Sequence, residues 1–115
     1  MEVFNRSLAL SRLDHDDARL ESLLLEFQRS APVTLKSIEK AVRKKKASLA
    51  EGLAEEVLET SQLIGAEGLE ALATEMIEAA RAGDFEKLET QVAHMGMEVD
   101  WLLRILDENR CSGNL

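Results

Sequence analysis

Apolar residues recur along this chain every three or four positions, and short polar stretches break the pattern at intervals, as in a succession of amphipathic helices. Ser7 to Leu13 reads as a short first helix with Leu8, Leu10 and Leu13 as its contacts. Asp14-His15-Asp16-Asp17 then forms a turn, with Asp16 suited to cap the next helix. A long helix follows, carrying Leu20, Leu23, Leu24, Phe27, Leu35, Ile38 and Val42 at helical spacing. Pro32 interrupts it, so the helix kinks there or two helices meet. Arg43-Lys44-Lys45-Lys46 closes the segment, its cations complementing a helix C-terminus.

Ser48 is positioned to cap a third helix that runs to about Leu63, with a core face of Leu49, Leu53, Val57, Thr60 and Ile64. Gly65 is its expected C-cap. A fourth helix, from about Glu67 to Ala82, buries Leu69, Leu72 and Met76, with Ala73 and Ala80 beside them. Gly83 ends it and Asp84 caps the last helix, expected from Phe85 to about Glu108, which buries Leu88, Val92, Met95, Val99, Leu102 and Leu106. Short connections make successive helices antiparallel neighbours. The pattern predicts an all-α fold: an antiparallel, up-down four-helix bundle with a short extra N-terminal helix, one domain over residues 1–108, and a flexible tail over 109–115.

Composition narrows the function. The 115 residues suffice for one compact domain, and 45% hydrophobic with 31% charged residues suits a globular protein. A formal net charge of −8 argues against nucleic acid, whose phosphates it would repel. The lone cysteine, Cys111, has no partner for an internal disulfide. No apolar run approaches the ~20 residues of a membrane span, and no signal-peptide pattern opens the chain, so the simplest reading is cytoplasmic. His15 lies in a polar turn with no Cys or second His nearby, so no metal site is expected and nothing calls for a cofactor. There is no nucleophile-base pair, metal cluster or glycine-rich phosphate loop to suggest an enzyme.

The order of helices, together with Leu63-Ile64-Gly65-Ala66-Glu67-Gly68-Leu69, Leu72, Met76-Ile77-Glu78 and Ala79-Ala80-Arg81-Ala82-Gly83-Asp84, resembles the histidine-containing phosphotransfer (HPt) domain of bacterial phosphorelays. Phe27 and Pro32 fit the same family, and the likeness extends from about Phe4 to Leu106. The family carries its phosphoaccepting His on the third helix, usually after Ala, with Lys three residues on and Gly next. Counting back from Gly65 puts the Ala on Ala54, the His on Glu55, the Lys on Leu58 and the Gly on Glu59. All three signature residues are replaced. The resemblance therefore implies a member without the family's chemistry, a non-phosphorylatable protein that works by binding.

Helical geometry agrees that Glu55 is exposed, about 200° around the helix from the expected core face. Phosphohistidine chemistry needs an imidazole and a nearby cation, and neither is evident around Glu55. The resemblance makes Glu51, Glu55, Leu58, Glu59 and Gln62 the partner-binding face, with Leu58 as an exposed leucine. The partners it implies are a response-regulator receiver domain or a sensor histidine kinase. A receiver's own acidic pocket would repel this face, so a basic or mixed surface fits better. One version has Glu55 imitating a phosphorylated His.

Two other readings stand beside this one. His94, preceded by Ala93 and followed by Met95-Gly96-Met97, could act as an atypical phosphoacceptor, although no Lys stands three residues on. The bundle could equally be a structural adaptor with no link to phosphorelays. Met97, Trp101 and Ile105 form a second apolar line on the last helix, either covered by the N-terminal helix or left open as a face for self-association or for a partner.

Overall fold

The computed structural model describes residues 6–113, with side chains through Asp107. Phe4, the side chain of Cys111, and the end of the expected tail at Asn114 and Leu115 lie outside the described residues. Five helices follow one another: α1 (Arg6–Arg12), α2 (Asp17–Arg43), α3 (Ala47–Ile64), α4 (Glu67–Ala82) and α5 (Phe85–Gly113). No strand occurs among the described residues. Helices α2 to α5 pack as a ring, each against its chain neighbour and α5 back against α2, while α1 lies on α3 and α2. The bundle is all-α and up-down, as the pattern predicts.

Local chemistry sets the turns. Asp16 caps α2, its Oδ1 accepting from the Arg19 N–H at 3.1 Å. Asp14 and His15 take left-handed backbone angles (φ 54° and 60°), which folds α1 back onto α2. Gly65 and Gly83 end α3 and α4 in left-handed C-caps with φ of 70° and 69°. In each turn the next N–H reaches back to satisfy an orphan carbonyl: Ala66 to Ser61 at 2.9 Å and Asp84 to Ala79 at 2.9 Å. Asp84 then caps α5, accepting from the Lys87 N–H at 3.1 Å.

The structure departs from the sequence pattern in four places. α2 runs unbroken through Pro32. Ser48 is not the cap of α3: that helix begins at Ala47, and Lys46 holds the cap position without a side-chain bond. The reason lies in the preceding turn. Lys45 is left-handed (φ 57°) and the Lys46 N–H closes onto the Ala41 carbonyl at 2.8 Å, so the reversal is complete two residues earlier than expected. α5 continues to Gly113, beyond the expected Glu108.

The fourth departure bears on function. The fully buried residues of α3 are Ala50, Ala54, Ser61 and Ile64, whereas Leu49 is 50% exposed and Leu53, Val57 and Thr60 are half-buried. The helix is thus rotated by roughly 65° from the expected leucine face, at 100° per residue. Alanine lets helix backbones approach closely, and α3 packs most extensively on α4, the side that the alanines favour. Elsewhere the expected core holds. Leu88, Val92, Met95, Val99, Leu102 and Leu106 of α5 are all buried, as are Leu69, Ala73, Met76 and Ala80 of α4, with Leu72 half-buried.

Candidate functional site on the third helix

The rotation of α3 decides where each side chain of the expected face goes. Ala54 is fully buried, and Glu55, next to it, projects outward with half of its side chain exposed. Because α4 runs antiparallel to α3, the end of α4 lies beside the start of α3. That places Arg81 against two carboxylates one helical turn apart. Its Nε donates to Glu51 Oε2 at 3.2 Å, and its Nη2 lies 3.7 Å from Glu55 Oε1. Arg81 itself remains 63% exposed, so each contact contributes at most about 1 kcal/mol.

The rest of the face divides in two. Glu59 and Gln62 are exposed, but Leu58 is half-buried and leans on the core. This corrects the expectation of an exposed leucine: at the observed rotation, Leu58 points toward α4. Near the end of α3, Arg12 of α1 donates to the Gln62 carbonyl and lies 3.9 Å from Glu70 Oε2. A cation there complements the helix dipole and fixes α1 over the last turn of α3. On the other flank, Glu56 and Glu59 border a groove between α2 and α3 of about 300 Å³, floored by Phe27, Leu69, Met95 and Val99.

Neither histidine joins this face. His15 lies in the α1–α2 turn and His94 is exposed on α5, which packs on α2 and α4 and stands diagonal to α3. No group of side chains among the described residues could hold a metal ion. Arg81 is the residue the sequence reading missed. It stood in plain view in the Ala79–Asp84 run, but a bridge between helices leaves no mark in the periodicity of either.

A crystal structure of the HPT domain from the Hpt sensor hybrid histidine kinase of Shewanella superimposes on this chain with a TM-score of 0.82. The match covers 92% of both chains at 19% sequence identity. The chain has the HPt fold. No family model and no curated protein matches the sequence. The face of α3 that carries Glu51 and Glu55 holds no His, and the cation beside it, Arg81, is engaged by both carboxylates.

No helix of the described residues is long and apolar enough to cross a membrane.

Proposed function

We propose that this HPt-fold chain is a cytoplasmic pseudo-phosphotransfer protein of two-component signalling, one that binds a receiver or histidine-kinase domain without carrying phosphate. The observation that carries the reading is Glu55. It occupies the position counted as the phosphoacceptor, exposed and salt-bridged to Arg81, in a fold that matches an HPt domain over 92% of its length. Leu58 and Glu59 replace the Lys and Gly of the family motif, so neither charge compensation nor close approach of a phosphodonor is provided for.

The Arg81 bridge also refines the charge of the face. Glu51 and Glu55 are partly neutralised, while Glu56 and Glu59 form no ion pair among the described residues, so a partner meets its strongest negative potential toward α2. A partner surface with basic residues opposite Glu56 and Glu59 fits this distribution. Imitation of phosphohistidine by Glu55 would require its carboxylate to leave Arg81 first.

The test uses purified receiver and kinase domains from the same genome. Binding to at least one, weakened by Glu55→Lys and Glu59→Lys, with no acid-labile phosphoryl label on this chain, is the expected result. Label that disappears in His94→Ala would show an active phosphotransfer protein instead. Failure to bind any of the domains would leave the chain a structural adaptor.

A further inference from the structure

The outer side of α5 leaves two large apolar side chains in solvent one turn apart. Met97 is 71% exposed and Trp101 55% exposed, with the half-buried Ile105 one turn further on. The three lie four residues apart, within about 80° of one another, and Trp101 stands about 140° from the middle of the buried line of α5. The N-terminal helix does not cover them, because α1 packs on α3 and α2. Apolar surface concentrated on one helix face in this way marks an interaction surface.

The charges around it indicate the occupant. Asp100 and Arg104 lie together on one edge of this line and form an ion pair at 3.0 Å along the helix. A two-fold axis beside Trp101 would lay the α5 helices of two copies antiparallel. Each Arg104 then meets the other copy's Asp100, Trp101 meets Trp101, and Met97 meets the other copy's Ile105. Parallel pairing would instead set Arg104 against Arg104 and Asp100 against Asp100. We infer that this face binds a second copy of the chain, antiparallel, in an isologous dimer centred on Trp101.

A seam of one helix per copy lies below the roughly 1,200 Å² of a stable complex, so the dimer is weak and concentration-dependent. Because α5 stands diagonal to α3, the dimer leaves both Glu55 faces open. The inference does not depend on what those faces bind.

Trp101 is the only tryptophan in the chain, so its fluorescence reports this face alone. Sedimentation and emission spectra of the full chain would be recorded from about 1 µM to about 1 mM, the span of a weak association. The expected result is a mass rising from one chain to two together with a blue shift of Trp101. Met97→Glu should abolish both. Arg104→Asp should weaken the dimer about tenfold or more, and Arg104→Asp combined with Asp100→Arg should restore it. These side chains are exposed, and circular dichroism verifies that each variant stays helical. A single-chain mass of 12.8 kDa at every concentration would overturn the inference. So would a dimer that forms without a shift in Trp101, or a double reversal that fails to rescue.

Discussion

Two glycines test how the helices are bounded. An added Cβ at Gly52 or at Gly83 meets no atom within 4 Å, so packing alone predicts the same outcome for Ala at both. Backbone conformation separates them. Gly52 sits inside α3 on its exposed side, where Ala is the better helix former by about 0.8–1 kcal/mol. Gly83 holds φ +69° at the end of α4, where an L side chain costs about 1–2 kcal/mol. The stiffer unfolded chain returns about 0.4–1 kcal/mol of that, leaving a loss of about 1 kcal/mol. The two variants should therefore differ by about 2 kcal/mol, with wild type between them. In urea unfolding followed by far-UV circular dichroism, a slope of about 1–3 kcal/mol per molar separates the midpoints by roughly 1 M. Midpoints moving in the same direction would refute the assignment of α4's end to a left-handed cap. A changed slope for either variant would mean that the unfolded ensemble, not the cap, had been altered.

Other substitutions probe the site and its supports. Arg81→Ala should cost no more than about 2 kcal/mol by the same urea titration, because both of its carboxylate contacts are solvent-screened; a loss of several kcal/mol more would mean that the bridge is part of the core. Asp16→Ala should destabilise by about 1 kcal/mol through loss of the α2 cap, whereas Ser48→Ala should stay within about 0.5 kcal/mol. Equal effects from the two would contradict the start of α3 at Ala47. Leu58→Asp should cost about 1–3 kcal/mol by burying a carboxylate against the core, while Glu59→Lys stays near wild type in the thermal melt, which makes Glu59 the cleaner probe of docking.

Much of this fold could be read from the chain because large side chains announce a buried face. The six core residues of α5 recur at intervals of three and four, and nothing else on that helix competes with them except the line through Met97 and Trp101. α3 misled for the converse reason. Its true inner face is built on Ala50, Ala54 and Ser61, residues too small to outweigh Leu49 and Leu53 in any pattern of hydrophobicity. The error propagated to the candidate site, since a rotation of that size carries Leu58 from solvent onto the core. The exposure of Glu55 was read correctly because it stays outward under either rotation. Its pairing with Arg81 depends on the antiparallel register of α3 and α4, which becomes visible only when the two helices are side by side.

Pro32 has a consequence for how the molecule opens. Lacking an N–H, it leaves the carbonyl of Gln28 without the rung that the ladder of α2 would otherwise supply, and the buried Oε1 of the Gln28 side chain has no hydrogen-bond partner among the described residues. Cooperativity along a helix is carried by those rungs, so amide protons on the two sides of the gap are free to exchange with solvent at different rates. The first half of α2 is tied to α1 through Arg6 with Asp17 and Glu21, so the expected outcome is a different exchange rate on each side of Pro32. Ser30, Ala31 and Thr34 border both this gap and the groove beside Glu59. Anything that braces Ser30, Ala31 and Thr34 should therefore slow the exchange of amides on both sides of the missing rung, beyond the residues it touches.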